Sequence, residues 1–323
     1  LVRSYGMGWN GLDDLNDLIR RAWDIRRQFH APVLEIAAPG AKHYENNYFT
    51  NNPLSFVNIS ITENRCECNC THCRGKLLES MIQVGSPDAM YNLIDHLVEK
   101  GCHGILVSGG ADRRGEVPLE PFIDAIAYAH RKGLKVLVHT GLVNRSTAAR
   151  LAEAGVDEVI LDIIGDARTI KEVYHIDRQP EDYLDAMLAC REEGLALAPH
   201  LVIGLYYGQI IGELNALKMI KQADVQVLVL VVLMALAGTP MASVEPPEIE
   251  KVTELMALAR GMNPHLPISL GCARPSGTYK RILEKRAIDC GINSMAYPDE
   301  ETLKYATTRG LKLSFTESCC SLF

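Results

Sequence analysis

The feature of this sequence that most constrains its fold is a recurring short run of apolar, largely β-branched residues, with amphipathic stretches between the runs. This alternation is typical of repeated strand–helix units. Because most of the runs are continuously apolar, we expect strands that are buried on both faces of a parallel sheet. The eight runs are 55–62, 103–109, 134–140, 158–163, 197–204, 226–234, 267–272 and 292–297.

Helix boundary signals support this division of the chain. Ser86, Pro87 and Asp88 supply an N-cap, a first-turn proline and an acidic first turn, and Gly101 follows as a C-terminal stop. Eight strands that are each followed by a helix predict a (β/α)8 TIM-type barrel, whose reactive groups lie on the loops after the strands. Further stops of the same kind are expected at Gly133, Gly155 and Gly194.

The sequence predicts one domain over residues 1–323, because proline and glycine concentrate only in turns. Within it we expect a leader at 1–50, with a helix at Leu12–Phe29, and the barrel at 51–300. A C-terminal helix and tail at 301–323 are expected to fold over the mouth of the barrel.

Charge and composition exclude several classes of function. With 33 basic and 40 acidic residues the net charge is -7, which gives no electrostatic basis for binding nucleic acid. The longest apolar run, 225–237, is too short to span a bilayer, and no signal peptide is evident at the N-terminus. We therefore expect a cytoplasmic protein. In a reducing compartment, ten cysteines favour metal or cluster ligation over disulfides.

Four of these cysteines, Cys66, Cys68, Cys70 and Cys73, lie within eight residues directly after the first predicted strand. Cys66, Cys70 and Cys73 form a C-x3-C-x2-C triad, which allows three thiolates to bind three irons of a four-iron cluster and leaves the fourth iron open. If Cys68 also binds, the four thiolates instead hold zinc or a fully ligated cluster, and the site is closed.

This triad after the first strand of a predicted barrel resembles the radical S-adenosylmethionine (SAM) superfamily. The resemblance implies that Cys66, Cys70 and Cys73 hold a 4Fe–4S cluster whose open iron binds SAM, which reduction splits to give a 5′-deoxyadenosyl radical. It also implies a SAM pocket at the strand ends, with Asp162 contacting ribose. Without the cysteines as context, the residue types implied for the SAM pocket are also typical of turns and helix starts. The other implied cofactor-binding residues are Ser108, Gly109, Gly110, His200, Gly204 and Glu213.

Four stretches, 70–79, 204–208, 238–241 and 270–275, resemble a biotin-synthase-related subgroup that includes a two-protein lipoyl synthase. The resemblance implies sulfur insertion into a protein- or peptide-bound octanoyl chain, with an auxiliary 4Fe–4S cluster as sulfur donor. Its candidate metal ligands are Cys272, Cys319 and Cys320, with Arg274 as a further ligand or nearby donor. Alternatively, Cys272 is an ordinary buried thiol and the other two lie in a frayed tail.

Further expectations follow from the same resemblance. The implied partners are an octanoylated lipoyl carrier protein or peptide, a second radical SAM protein, and an electron donor such as ferredoxin, flavodoxin or a reductase. One alternative is a single-cluster biotin-synthase-like enzyme that catalyses methylation, rearrangement or carbon–carbon cleavage. Another is an electron-transfer or zinc-stabilised protein that uses all four clustered cysteines. By position, His139 and His200 face the reaction chamber, where each either binds substrate or is a core histidine with a satisfied hydrogen bond. Cys102, Cys190 and Cys290 are expected in the core.

Overall fold

The computed structural model describes residues 14–323, and at its centre lies one sheet of eleven parallel strands. The strands are hydrogen-bonded in the order β11–β1–β10–β9–β8–β7–β6–β5–β4–β2–β3. Their bounds are β1 Val33–Ala37, β2 Phe56–Ser60, β3 Ile82–Gln83, β4 Gly104–Ser108, β5 Lys135–His139, β6 Glu158–Asp162, β7 Leu197–Ile203, β8 Leu228–Val232, β9 Ile268–Leu270, β10 Ser294–Ala296 and β11 Lys312–Thr316.

Helices connect most successive strands. The helix after Ser86 begins as the sequence predicts, because the Ser86 hydroxyl accepts a hydrogen bond from the amide of Ala89 at 3.2 Å and Pro87 occupies the first turn. Gly101, at φ 79°, follows its end. The helices are α1 Leu15–Phe29, α2 Pro87–Glu99, α3 Ile123–Arg131, α4 Arg145–Glu153, α5 Ala167–Thr169, α6 Pro180–Glu192, α7 Glu213–Ala223, α8 Ile249–Met262, α9 Gly277–Asp289 and α10 Glu300–Thr308.

The predicted α/β fold with a parallel sheet is confirmed, and each of the eight predicted runs contains an observed strand, β2 or one of β4 to β10. The closed eight-stranded barrel is not confirmed. Three further strands extend the sheet, and within residues 14–323 the outermost strands β3 and β11 each pair with one neighbour only. The sheet is therefore a curled, open relative of a TIM barrel.

The leader and the C-terminal segment both contribute strands that the sequence analysis missed. β1 lies in the predicted leader and pairs with β10 and β11, so that segment is part of the sheet. The leader helix is observed from Leu15 to Phe29, and Leu12 and Asp13 of the predicted helix lie outside the described residues. In the part of the chain from residue 14 onward, no helix combines the length and apolarity needed to cross a membrane.

The two faces of the sheet carry different sets of side chains. Successive residues of a strand point to opposite faces, and Val57 and Val136 belong to the large core shared with the helices. Their neighbours therefore face the concave side, where a smaller apolar cluster forms. Its members are Phe56, Leu137, Ile160, Ala198 and Val227.

The C-terminal tail enters this concave side instead of lying across the mouth of the barrel. Cys319 and Leu322 pack against the concave apolar cluster. The Ser321 hydroxyl donates a hydrogen bond to the buried carboxylate of Glu158, the first residue of β6. The tail therefore reaches toward the N-terminal ends of the central strands, and the expected position over the mouth is not confirmed.

Candidate functional site

The loop that carries the clustered cysteines follows β2 and is held by backbone hydrogen bonds to two other loops. The amide of Glu67 donates to the carbonyl of Ala111 at 2.9 Å, and the amide of Thr71 donates to the carbonyl of Val173 at 2.8 Å. Within the loop, the amides of Cys73 and Arg74 both donate to the carbonyl of Cys70, at 3.2 and 2.9 Å. These contacts fix a compact turn that gathers the thiols on one side.

The thiols of this loop are close enough to share protons. A hydrogen bond with Cys68, and then burial, raise the pKa of Cys66. Hydrogen bonds with Cys68 and Cys73 raise the pKa of Cys70, and the hydrogen bond from Cys70 lowers the pKa of Cys73 to about 4. Thiols that lie this close together are a suitable donor set for metal ions, which bind the thiolate form and displace protons.

Cys68 lies among the other three thiols. Its sulfur is 2.9 Å from the carbonyl oxygen of Asp112 and it is hydrogen-bonded to both Cys66 and Cys70. The position of Cys68 is therefore compatible both with a thiol that does not bind the metal cluster and with a fourth ligand of it. Two sulfurs and one imidazole, those of Cys70, Cys73 and His72, place possible ligand atoms within 4.8 Å of one another.

Ser108, Gly109 and Gly110 lie at and after the end of β4, beside the cysteine loop. A Cβ atom on Gly110 would stand 2.0 Å from the carbonyl oxygen of Arg65, so only glycine allows this approach. The amide of Gly110 donates to the Thr62 hydroxyl at 2.7 Å. The glycine pair is thus required for packing the cysteine loop, and its contact with SAM stays a prediction.

Three possible metal ligands lie together in the sheet: Asp162 ends β6, His139 ends β5, and His200 lies within β7. Their possible ligand atoms are all within 4.8 Å of one another. Nε2 of His139 is 3.7 Å from Oδ1 of Asp162, and the two imidazole rings are stacked with centroids 6.0 Å apart. Burial raises the pKa of Asp162, but the neighbouring His139 outweighs it and holds that pKa well below its usual range. Burial lowers the pKa of His200 to about 4.

Gly204 and Glu213 are joined across the loop that follows β7. The Glu213 carboxylate is buried, and it accepts hydrogen bonds from the amides of Gly204 at 2.7 Å and Gly212 at 3.0 Å. Burial raises the pKa of Glu213. A Cβ atom on Gly204 would stand 2.7 Å from the ring of Pro247. Both residues therefore shape this loop, and a contact with the adenine of SAM stays a prediction.

The tail brings Cys319 and Cys320 into the neighbourhood of Cys272, which follows β9. The charge of Cys319 contributes, after burial, to raising the pKa of Cys272. The hydrogen bond from Cys320 lowers the pKa of Cys319 to about 6. Cys272 is exposed to solvent, and within residues 14–323 the three sulfur atoms do not all lie within 4.8 Å of one another.

Arg274 takes part in a buried hydrogen-bond network close to Cys272. Its guanidinium donates to the Glu284 carboxylate at 2.6 and 3.0 Å and to the carbonyl of Gly271 at 2.6 Å. It also donates to the carbonyls of Ala296 and Tyr297. With 2% of the side chain exposed, Arg274 braces the Cys272 loop, and its role as a cluster ligand or nearby donor stays a prediction.

The sequence also predicted three cysteines in the core. Cys102, Cys190 and Cys290 are buried, as expected for core thiols.

Sequence reasoning missed Tyr174, which donates a hydrogen bond to Oδ2 of Asp162 at 3.0 Å. No local pattern marks it, because it lies in a one-turn π-helix, Ile170–Tyr174, whose position depends on the fold.

Comparison with known proteins agrees with the cysteine motif. Residues 60–217 match the model of the radical SAM superfamily. A biotin synthase of Chlorobaculum parvum is 25% identical over 213 residues, covering 65% of this chain and 61% of the relative. A biotin synthase of Synechococcus sp. (strain RCC307) is 21% identical over 309 residues, covering 88% of this chain and 90% of the relative.

The fold is also similar to solved structures. A crystal structure of methylornithine synthase (PylB) superposes with a TM-score of 0.64 at 13% identity, covering 94% of this chain and 91% of that chain. At this identity the likeness concerns the fold alone. It agrees with a curled, parallel-stranded arrangement of the TIM-barrel type.

Proposed function

We propose that this protein is a radical SAM enzyme, distantly related to the biotin synthases it resembles, and that it inserts sulfur into an octanoyl chain. The chain would be bound to a protein or peptide, as in formation of the lipoyl cofactor. The biotin synthase relatives support sulfur chemistry in general. The choice of an octanoyl chain depends on the resemblance of 70–79, 204–208, 238–241 and 270–275 to one subgroup.

The donor set of the cysteine loop fits the reducing cluster that this chemistry requires. Cys66, Cys70 and Cys73 would hold a 4Fe–4S cluster, and Cys68 would leave the fourth iron free for SAM. When bound, the cluster and SAM together supply a 5′-deoxyadenosyl radical that removes a hydrogen atom from an unactivated carbon. The protein positions the substrate carbon and keeps water away.

The observation that carries the proposal is the entry of the C-terminal tail into the concave side of the sheet. It brings the Cys319–Cys320 pair into electrostatic contact with Cys272, although Cys320 also packs in the large core and Cys319 packs against the concave apolar cluster. Sulfur insertion needs a sulfur source, and an auxiliary cluster bound by these thiols would provide it.

The proposal also includes partners. The acyl chain would be presented on the lysine of a lipoyl carrier protein or on a peptide derived from it. A second radical SAM protein would share the two insertions, and a ferredoxin or flavodoxin would deliver electrons. The excess of acidic residues over basic ones argues against nucleic acid as a partner.

The experiment is anaerobic incubation of the reconstituted protein with SAM, dithionite and an octanoyl-lysyl peptide, followed by mass analysis of both products. We expect 5′-deoxyadenosine together with peptide that has gained sulfur. Cys272→Ala should still form 5′-deoxyadenosine but should leave the peptide unmodified. Cys190→Ala is the matched control, because that thiol is buried in α6, and it should behave as the wild type.

Two results would contradict the proposal in different ways. Formation of 5′-deoxyadenosine without sulfur transfer, together with about four irons per chain instead of about eight, would indicate a single-cluster enzyme that performs methylation, rearrangement or carbon–carbon cleavage. Absence of SAM cleavage under reducing conditions would indicate an electron-transfer or zinc-stabilised protein.

A further inference from the structure

A second group of possible metal ligands, which includes no cysteine, lies inside the sheet. Asp162 ends β6, His139 ends β5, and His200 is opposite Asp162 in the register of β7. All three point to the concave side, and their ligand atoms lie within 4.8 Å of one another. Two ligand atoms bound tetrahedrally at about 2.1 Å from one metal ion are about 3.4 Å apart, so the observed 3.7 Å between His139 and Asp162 already approaches that spacing.

The contacts of the two histidines support this grouping. His139 interacts with Asp162, whose Oδ1 lies 3.7 Å from its Nε2, and this contact lowers the pKa of Asp162. The two stacked imidazoles and the carboxylate of Asp162 place their possible ligand atoms within 4.8 Å of one another. This convergence points to a ligand common to all three side chains.

Tyr174 provides the kind of support that metal-binding carboxylates usually have. Its hydroxyl donates to Oδ2 of Asp162 at 3.0 Å and leaves Oδ1 directed toward His139. Groups that orient metal ligands from behind fix the direction of the free lone pair and raise affinity. Burial raises the pKa of Tyr174 well above its ordinary value, so the phenol remains a donor.

We infer that His139, Asp162 and His200 form a binding site for a divalent first-row transition metal such as Zn²⁺ or Fe²⁺, in the wall of the chamber. Two imidazoles and one carboxylate are a donor set that such metals favour over Mg²⁺ and Ca²⁺. Three protein ligands leave at least one coordination position open. An oxygen donor of a bound substrate, for example an amide carbonyl, is the class of group that this position accepts.

This assignment differs from the ribose contact that the sequence suggested for Asp162. A ribose contact needs the carboxylate alone, and it leaves the convergence of both imidazoles without a purpose. The metal site does not depend on sulfur insertion, because the three residues are distinct from Cys272, Cys319 and Cys320. Each hypothesis can therefore fail without the other.

The test is metal binding to the reconstituted protein, with Co²⁺ as the probe. Equilibrium dialysis followed by metal analysis gives the stoichiometry, and electron paramagnetic resonance detects high-spin Co²⁺ against a 4Fe–4S cluster in its diamagnetic oxidised state. We expect one Co²⁺ per chain in addition to the cluster iron, with nitrogen couplings from two imidazoles. His139→Ala and His200→Ala should each lose the signal, while iron content stays constant.

Two variants keep the test informative if an alanine substitution disturbs folding. Tyr174→Phe keeps the ring, removes only the hydrogen bond to Asp162, and should weaken Co²⁺ binding by about 10- to 100-fold. His96→Ala alters an exposed histidine of α2 and should bind Co²⁺ as the wild type does. Wild-type protein that takes up no Co²⁺ beyond the cysteine loop would overturn the inference. So would equal binding in the His139 variant, or loss of SAM binding but not of Co²⁺ in Asp162→Asn.

Discussion

Gly110 lies so close to Cys66 that a Cβ atom on the glycine would stand 2.5 Å from the Cα atom of the cysteine. The end of β4 and the cysteine loop are therefore in direct backbone contact. This contact couples the strand predicted to bind SAM to the loop predicted to bind iron.

Gly110→Ala should displace the cysteine loop, because the nearest atoms belong to backbone that cannot rotate away. We expect loss of most of the bound iron after reconstitution, and a decrease of about 1 to 3 kcal/mol in the free energy of unfolding from overpacking. Iron analysis and urea unfolding measure the two effects. Gly85→Ala is the control, because its added methyl would meet only the flexible end of Glu63, and it should retain full iron. Full iron content in Gly110→Ala would contradict the prediction.

Substitution of Cys68 distinguishes an open cluster from a closed metal site. If Cys66, Cys70 and Cys73 suffice as ligands, Cys68→Ala should retain iron and SAM cleavage, whereas Cys70→Ala should lose both. Iron content, visible absorbance and 5′-deoxyadenosine formation are the measurements. Equal loss of metal in the two variants would instead favour a four-thiolate site.

The pH dependence of stability should include a contribution from His30. Burial and the positive charge of Arg260, whose Nη1 lies 2.7 Å from Nε2 of His30, lower its pKa from 6.5 to about 4. Between these values the unfolded chain binds a proton that the folded protein rejects. The stability linked to His30 is therefore fully present above about pH 6.5 and is lost as the pH falls toward 4.

Urea midpoints measured across this pH range test the effect. His30→Gln cannot titrate, so its stability should depend less steeply on pH than that of the wild type. His96→Gln changes an exposed histidine and should leave the slope unaltered. A wild-type slope in His30→Gln would show that other groups cause the acid sensitivity.

Removing one partner of the Arg274–Glu284 pair should destabilise the protein strongly. Both side chains are buried, and Glu284 also accepts hydrogen bonds from the Thr302 hydroxyl at 2.6 Å and the Asp299 amide at 3.0 Å. Glu284→Ala leaves a buried guanidinium without its counter-charge, which costs about 3 to 5 kcal/mol. Denaturant unfolding measures this loss. Glu301→Ala breaks an exposed pair with Lys285 and should change stability by less than about 1 kcal/mol.

The sequence indicated most of the central sheet, because long apolar runs such as 158–163 and 197–204 have no stable position except within a parallel sheet. It missed β1 and β11 for a physical reason. Each strand is five residues long and includes charged or polar residues, and each forms only because its partner supplies hydrogen bonds. The extent of the sheet beyond the eight predicted strands depends on these pairings, which no local sequence pattern indicates.

The same division applies to the site. The spacing of Cys66, Cys70 and Cys73 was sufficient to predict metal chemistry, since one short loop sets the distances among its own thiols. The approach of Cys319 and Cys320 to Cys272, and the convergence of His139, Asp162 and His200, were decided only by the tertiary structure. Residues far apart in the chain meet where the curvature of the sheet and the path of the tail bring them, and those follow from packing over the whole molecule.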